Sequence, residues 1–193
     1  MKVVLIYAHP DPRSFNAAIA AVVREELEKI GAEIKFKDLY AMHWNPVLSA
    51  KDYAGYDNGT TAEDIKAEQT DISWADVIIM ICPVWWNSVP AILKGYIDRV
   101  FSIGFAYEFT ASGPRGMLNG KKALLITTSG VDKHAAEQSG MMELINKSLV
   151  DAVFGFSGFA GYQHKNFFAV PTVSDNERQE MLTELRQFIQ NFI

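Results

Sequence analysis

The sequence predicts an α/β fold in which helices cover both faces of a parallel sheet. Short runs of almost continuously apolar, β-branched residues alternate along the chain with longer amphipathic stretches. Runs of that kind are typical of strands buried on both faces of a parallel sheet. The chain has 193 residues, which suits one such domain and is short for two. We find no repeat or linker and therefore expect residues 1–193 to form a single domain.

The composition excludes several classes of function. Hydrophobic residues make up 49% and charged residues 21% of the chain, as in ordinary globular proteins. The net charge of −5 argues against a general nucleic-acid binder. Cys82 is the only cysteine, so no intrachain disulfide can form. No signal peptide or run of transmembrane length is present, so we expect a cytoplasmic location without membrane insertion. No metal is expected, because no His, Cys or carboxylate set has ligand spacing.

The first strand and loop suggest an anion site. Lys2 to Ala8 is the predicted first strand, and His9 to Asn16, with two prolines, is a stiff loop. Ser14 is the expected N-cap of a helix that ends at Gly31. A helix N-terminus beyond a strand offers free N–H groups to phosphate, and Arg13 and the Ser14 hydroxyl lie where they can contribute. The alternative is a stiff connector with a capping serine.

The next segments lead to the centre of the sheet. Glu33 to Lys37 alternates polar and apolar residues, as an edge strand does, and Asp38 to Ala62 is predicted to be a long irregular connection. A connection of that length is usually functional. A helix is expected from Thr61 to about Ala75, and Val77 to Ile81 is the predicted third strand.

The loop after the third strand carries two adjacent tryptophans. It runs from Cys82 to Pro90 and precedes an amphipathic helix from Ala91 to Phe101. Trp85 and Trp86 in such a place indicate either an aromatic wall for a planar ligand or a cap over the core. Cys82 itself is interpreted as a small buried residue.

The fourth strand ends in a polar cluster. Ile103 to Phe109 is aromatic and alternating, and Ala111 to Gly120 is predicted to be a loop. The fourth strand, Ala123 to Thr128, leads into Thr127, Thr128, Ser129 and Gly130, which can present donors to an anion or to a polar ring edge.

The last third of the chain predicts a helix, a strand and a helix. The first helix covers roughly Ala136 to Val153, and the fifth strand runs from Gly161 to Val170. Ser174 to Glu177 is a capping box for the final helix. We interpret His43, His164 and Lys165 as surface or core residues.

Five strands alternating with five helices give a doubly wound sheet. Because no strand is followed by G-x-G-x-x-G or by a P-loop, the flavodoxin-like strand order 2-1-3-4-5 is favoured over a Rossmann order. Three strand ends then converge: a phosphate loop, an aromatic wall and a hydroxyl-rich end. A flavin needs these three features.

Several short motifs, in order, resemble those of the NAD(P)H:quinone oxidoreductase family of flavodoxin-like flavoproteins. No single motif is decisive, but the ordered set covers about the first two thirds of the chain. The matching segments are Ala8 to Asn16, Asp38 to Met42 with Asn45-Pro46, Asp64 to Gln69, Pro83 to Gly95, Arg99 to Tyr107, and Lys121 to Gly130.

The resemblance implies roles for particular residues in a homodimer that uses NAD(P)H, a flavin and a quinone. The phosphates and nucleotide tail would be held by His9, Phe15, Asn16 and Gln69. The ring would lie on Pro83, Val84, Trp85 and Trp86, and its polar edge on Thr127, Thr128 and Gly130. Tyr107 and Phe109 would line the substrate pocket, which in this family belongs to the dimer partner. The Gln69 match and the long connection favour FAD over FMN.

Two departures from the family pattern stand out. His134 lies near the position of a family tyrosine, and no second histidine follows it; it is either the proton donor or an exposed loop residue. The C-terminal extension of the larger animal members is absent. The implied reaction is ping-pong hydride transfer from NAD(P)H to a quinone.

Three other functions stay open. They are a flavodoxin-like electron carrier, a regulatory subunit of a bacterial potassium-efflux system, and the same enzyme acting on nitro or azo compounds.

Overall fold

The computed structural model describes the backbone of residues 1–193 and every side chain except those of Asp57 and Asn58. Its main sheet has five parallel strands in the order β2-β1-β3-β6-β7, and β4 and β5 form a separate antiparallel pair. The predicted order 2-1-3-4-5 is therefore confirmed, because β6 and β7 are the predicted fourth and fifth strands. The strands are β1 (Lys2–Tyr7), β2 (Glu33–Asp38), β3 (Val77–Pro83), β4 (Tyr107–Thr110), β5 (Gly113–Gly116), β6 (Lys122–Thr128) and β7 (Gly161–Phe167).

Helices cover both faces of the main sheet, as expected for a doubly wound fold. The helices are α1 (Phe15–Lys29), α2 (Ala50–Asn58), α3 (Glu63–Trp74), α4 (Ala91–Val100), α5 (Lys133–Gln138), α6 (Met141–Ile145), a π-helical segment (Asn146–Gly155) and α7 (Asp175–Phe192). One core lies between the sheet and helices α1 and α7, and the other lies between the sheet and helices α3, α4 and α6 with the π-helical segment.

The alternation of side chains along β1 explains why a bare apolar run forms a central strand. Val4 and Ile6 point into the α3–α4 core, whereas Val3 and Leu5 point into the α1–α7 core. All four side chains are fully buried. Since each contributes roughly 1.5–3 kcal/mol when buried, a polar residue on either face of β1 would be costly.

The prediction of an irregular connection from Asp38 to Ala62 is wrong, because α2 forms inside it. Ser49 caps α2 in a capping box with Asp52, a pattern that precedes too few apolar residues to stand out in the sequence. The buried Arg99 of α4 then fixes the segment: its Nε lies 3.1 Å from the Asp52 carboxylate and its Nη1 2.7 Å from the Asp64 carboxylate. The tertiary ion pairs compensate for weak local helix signals.

The prediction of a loop from Ala111 to Gly120 is also wrong, because β5 pairs with β4 within it. The pairing tolerates a glycine at each end of β5. Gly116 lies so close to the chain at Gly158 that an added Cβ would approach the Gly158 nitrogen to 2.3 Å. Glycine was an indicator of a loop in the sequence, but here it permits close packing of the hairpin.

The predicted helix from Ala136 to Val153 is divided. Gly140 adopts φ +68° between α5 and α6, a conformation that glycine reaches without strain. The chain then continues from α6 into the π-helical segment. Strand β7 ends at Phe167 rather than Val170, and the capping box is confirmed, with the Ser174 amide donating to Glu177 at 2.7 Å. Within the described part of the chain, no helix combines the length and apolarity needed to cross a membrane.

Candidate functional site

A cleft of about 410 Å³ lies beyond the carboxyl ends of β1, β3, β6 and β7. Ligands bind at this edge of open α/β sheets, and clefts of this size hold small cofactors. Most of the predicted ligand residues meet here. The lining consists of His9, Ser14, Phe15, Asn16, Pro83, Val84, Trp85, Thr128, Ser129, Gly130, Val170 and Pro171.

The β1–α1 loop is fixed by its own hydrogen bonds. The Ser14 hydroxyl accepts from the Ala17 amide at 3.2 Å and lies 3.1 Å from the Tyr7 hydroxyl. Burial raises the pKa of Tyr7, so the phenol keeps its proton as a donor. His9 Nδ1 lies 3.0 Å from the Asp11 amide nitrogen and 3.2 Å from the Asp11 carbonyl oxygen. These bonds hold the loop in place without help from a ligand.

Asn16 has an amide end without a partner at the cleft. Its Nδ2 donates to Thr128 Oγ1 at 2.8 Å, and its side chain is only 3% exposed. Among the described side chains, Asn16 Oδ1 is one of two buried polar atoms that lack a hydrogen-bond partner. An orphaned buried polar atom costs about 1–3 kcal/mol. Because a hydroxyl accepts and donates, Thr128 can hold either end of the amide and leave the other for a ligand.

The aromatic wall is built on a strained turn. Trp85 and Ser88 exchange backbone hydrogen bonds of 2.9 and 3.0 Å across a two-residue turn. The central residues, Trp86 and Asn87, have φ +54° and +55°. Such a turn usually carries asparagine and glycine, and a bulky residue in this region costs on the order of 1–3 kcal/mol. Strain of this kind is concentrated at functional sites, and Trp86 is fully exposed.

The polar end of the cleft is supported from behind. Thr128, Ser129 and Gly130 line the cleft, and the Thr128 carbonyl accepts from the Val84 amide at 2.7 Å, which joins this end to the aromatic wall. Thr127 is fully buried beneath the lining. Thr127 therefore supports the cleft and does not line it.

A second cleft of about 340 Å³ continues past the start of α1. It shares Ser14, Phe15 and Val170 with the first cleft and adds two cations, Arg13 and Arg178. Arg178 donates to the Val170 carbonyl at 2.7 Å, which holds the base of α7 against the end of β7. Each guanidinium is also paired with a nearby carboxylate, Arg13 with Asp11 at 3.1 Å and Arg178 with Asp175 at 2.8 Å, so the N-terminus of α1 is the main feature that favours an anion here.

Five predicted site residues lie elsewhere in this chain. Trp86 points to solvent and His134 is exposed on the first turn of α5. Gln69 donates at 3.0 Å to the Val100 carbonyl and to the Ser102 hydroxyl, and it lines a separate pocket with Tyr56 and Phe105. The remaining two, Tyr107 and Phe109, contact each other edge to face on the hairpin, with ring centroids 5.9 Å apart.

Sequence reasoning missed Val170, Pro171 and Arg178. The first two follow β7, and the rule that ligands bind beyond strand ends would have pointed to them. Arg178 has a weaker signal, since it lies one residue after a capping box that already explains the local pattern. Its position near α1 depends on the packing of α7, which no local pattern gives.

The site combines an apolar wall, a polar end with an unsatisfied amide, and a cationic extension. This combination suits a flat ligand with a polar edge and an anionic tail. Cys82, on β3 beneath the wall, is fully buried, and burial raises the pKa of its thiol, so it is not a nucleophile at neutral pH. His43 is exposed.

Comparisons with known proteins place the chain in a family. The sequence model of a family with the flavodoxin-like fold matches residues 1–189. An uncharacterized NAD(P)H oxidoreductase of Haemophilus influenzae is 34% identical over 183 residues, which cover 94% of this chain and 91% of that protein. A ribosyldihydronicotinamide dehydrogenase [quinone] of Pongo abelii is 34% identical over 209 residues, covering 98% and 90%.

A solved structure is similar over the full length. The NAD(P)H:quinone oxidoreductase from Methanothermobacter marburgensis superposes with a TM-score of 0.92 at 26% identity, covering 100% of this chain and 99% of that one. The sequence and the overall fold agree with these relatives. The chain therefore belongs to the NAD(P)H:quinone oxidoreductase family of flavodoxin-like proteins, and it is an oxidoreductase.

Proposed function

We propose that this protein is a flavin-dependent NAD(P)H:quinone oxidoreductase that reduces quinones or similarly flat acceptors by two electrons. The observation that carries the proposal is the cleft, which offers an apolar wall, a polar end and a cationic extension at one edge of the sheet. The names of the relatives support the reaction class, and they include both NAD(P)H and ribosyldihydronicotinamide as reductants.

The ring system of the flavin would lie against Pro83, Val84 and Trp85. Its polar edge would face Thr128, Ser129 and Gly130, where hydroxyl and backbone dipoles favour negative charge. The unsatisfied amide end of Asn16 would gain a partner from the ligand, which recovers the cost of its burial. The chemistry of this lining therefore suits the group.

We propose that the flavin is FAD rather than FMN, because of the second cleft. The second cleft would hold a diphosphate at the N-terminus of α1, between Arg13 and Arg178, and would leave room for a nucleoside. The Gln69 match and the long connection favour FAD in the sequence, but Gln69 lies in a separate pocket of the same chain, together with Tyr56 of that connection. With FMN, a single phosphate would occupy the part of the second cleft at the N-terminus of α1, and the rest of that cleft would have no ligand group to bind.

A homodimer would complete the site. Two large apolar residues are exposed: Trp86, in the turn next to the cleft, is fully exposed, and Phe109, on the β4–β5 hairpin, is 68% exposed. In the proposed dimer, the partner's Tyr107 and the partner's Phe109 would form the substrate side of the pocket. Burial of these rings would remove the exposed apolar surface from water.

The residues of this chain would bind and orient the reactants. The flavin, when bound, would supply two-electron chemistry, accepting hydride from the nicotinamide and giving it to the quinone that replaces it in a ping-pong sequence. Orientation of donor and acceptor in one stacked geometry lowers the barrier by up to roughly 7–11 kcal/mol. His134 is proposed as the proton donor, with access from solvent at the first turn of α5.

The test is an anaerobic absorption spectrum of the purified protein with reductant and then a quinone. We expect a yellow protein that bleaches with NADH, NADPH or dihydronicotinamide riboside and recovers its colour with quinone. Release of the flavin and its chromatography should give FAD. A yellow protein that no reduced nicotinamide bleaches would instead favour the electron carrier or the regulatory subunit. A protein that binds neither FAD nor FMN would contradict the proposal.

A further inference from the structure

A chain of side-chain hydrogen bonds runs beneath the polar end of the cleft, on the face of the sheet covered by the π-helical segment. His164 on β7 lies at its centre, with Nε2 2.7 Å from Thr127 Oγ1. Thr127 donates to Asn166 Oδ1 at 2.8 Å, and Asn166 Nδ2 donates to Ser129 Oγ at 3.1 Å. On the other side, His164 Nδ1 lies 2.7 Å from Asn146 Oδ1. The chain thus joins a buried imidazole to a residue that lines the cleft.

The hydrogen bonds in this chain can all point in one of two directions, depending on which ring nitrogen of His164 carries the proton. Thr127 has a single hydroxyl proton, and it is given to Asn166 Oδ1. Thr127 must therefore accept from His164, so Nε2 carries the ring proton. Burial lowers the pKa of His164 to about 4, so the ring is neutral at pH 7 and has only this one N–H. Nδ1 then needs a donor, which Asn146 supplies when its amide is rotated by a half-turn from the orientation in which Oδ1 faces the ring, so that the NH2 group takes that place.

This direction decides what Ser129 offers to the cleft. Because Asn166 already donates to Ser129 Oγ, the serine proton must point elsewhere. The Val131 carbonyl is 3.4 Å away, longer than a normal hydroxyl hydrogen bond of about 2.5–3.0 Å. The proton is thus available to a ligand. With the opposite tautomer, Nδ1–H, every bond would reverse, and Ser129 would spend its proton on Asn166 and face the cleft as an acceptor.

We propose that His164 is a positioning residue whose Nε2–H orients Thr127 and Asn166 so that Ser129 presents a hydroxyl proton to the polar edge of the bound flavin. This inference rests on the proposed function for the identity of the ligand. A donor at this edge favours the reduced flavin, which carries more negative charge there than the oxidised form. His164 acts through three other side chains and does not itself line the cleft.

The first test needs no flavin. Nitrogen-15 NMR of the flavin-free protein distinguishes the two neutral tautomers, and the His164 signals are assigned by their loss in His164→Gln. We expect the Nε2–H tautomer at pH 7. The Nδ1–H tautomer would overturn the proposal, whatever the protein binds.

The second test measures the midpoint potential of the bound flavin. His164→Leu should make it more negative by about 30 mV, a tenfold weaker preference for the reduced form in a two-electron couple. His164→Gln places an amide N–H near the position of Nε2 and should restore most of the shift. Lys165→Gln, on the other face of β7 and paired with Glu184, is the control and should leave the potential unchanged.

A double-mutant cycle distinguishes an effect of His164→Leu that passes through Ser129 from a general structural effect of the substitution. Ser129→Ala removes the hydroxyl through which the effect should pass, so adding His164→Leu to it should cause no further shift. A full shift in the Ser129→Ala background, or none in His164→Leu alone, would overturn the proposal while the enzyme stayed yellow and active. A wild-type protein that binds no flavin would contradict the proposed function instead, and the NMR result would then decide this inference alone.

Discussion

Helix α1 carries two buried polar residues that the fold treats differently. Glu26, on the side facing α7, is 2% exposed and accepts from Lys29 and Arg186 at 2.7 Å and from Gln190 at 2.8 Å. Asn16, in the first turn at the cleft, is 3% exposed and has one partner, Thr128. The protein supplies hydrogen-bond donors to both oxygens of the Glu26 carboxylate, whereas one end of the Asn16 amide has no hydrogen-bond partner among the described residues.

The difference separates folding from function within one helix. Buried polar groups are normally satisfied, so an unsatisfied one in a native structure points to a ligand. The strained Trp86 turn lies at the same cleft as Asn16. Two violations of local rules thus lie at the site, although among the described side chains Trp44 Nε1 is also without a partner elsewhere, and the carboxylate of Glu26 on the α1–α7 face follows the rules. Substitutions at the cleft should therefore change flavin affinity, and substitutions on the α1–α7 face should change stability.

The largest effect is expected for Asn16→Leu. The change removes the amide that bridges Thr128 and the ligand, and the dissociation constant of FAD should rise roughly 30- to 100-fold, or about 2–3 kcal/mol. The thermal midpoint should change little, because the orphaned atom is removed together with the bond. Quenching of flavin fluorescence measures the affinity. Asn176→Leu, exposed in the first turn of α7, is the control, and equal affinities for the two variants would contradict the comparison.

Trp86→Gly should act in opposite directions on stability and on binding. Glycine adopts φ +54° without strain, so the free energy of unfolding should rise by about 1 kcal/mol. The fully exposed ring would be covered only in the proposed homodimer, and through that contact its loss should weaken FAD binding about tenfold, or 1.4 kcal/mol. Urea unfolding and flavin titration measure the two effects. Asn87→Gly relieves the neighbouring strain without loss of a ring and should stabilise the protein with unchanged affinity; weaker binding there would show that the strain itself is needed.

Glu26→Gln should affect stability alone. The neutral amide keeps the packing but weakens the bonds from Lys29 and Arg186, whose side chains are 54% and 35% exposed and can be solvated. For that reason we expect a loss of only about 1 kcal/mol at pH 7, or a fall in the thermal midpoint of about 2–4 °C. FAD affinity should be unchanged. A loss of affinity comparable to that of Asn16→Leu would mean that the two ends of α1 are coupled.

The sequence predicts most of the sheet and much of the cleft because those features are local. Lys2 to Ala8 is apolar whatever surrounds it, and Ser14 marks the start of α1 by its type and position. Beyond each central strand, polar and aromatic residues were assigned to a ligand by the general rule for open sheets. His9, Asn16, Trp85 and Thr128 do meet there.

What the sequence could not give depends on contacts between distant segments. Helix α2 is fixed by Arg99, which is 47 residues from Asp52, and β5 is a strand because Gly116 fits against Gly158. Arg178 reaches the cleft only because α7 packs on α1. His164 was interpreted as a surface or core residue, since its link to Ser129 crosses between β6 and β7 and appears only in the register of those strands.

The smallest expected effect is the pH dependence of the contribution from Glu26, and it shows whether charge or packing holds α1 to α7. Hydrogen bonds from Lys29, Gln190 and Arg186 lower the pKa of Glu26 from 4.5 to about 2. A folded-state pKa below the unfolded one stabilises the protein at pH above 4.5, and this contribution is lost as the pH falls through about 2. The difference in unfolding free energy between wild type and Glu26→Gln should therefore be constant from pH 7 to about 5 and shrink from there towards pH 2.5.

Urea unfolding at a series of pH values measures this difference, and Glu28→Gln, which removes an exposed charge from the same helix, is the control. A difference that stayed constant to pH 2.5 would assign the role of Glu26 to packing, and the contrast with Asn16 would then concern shape rather than the satisfaction of a buried charge.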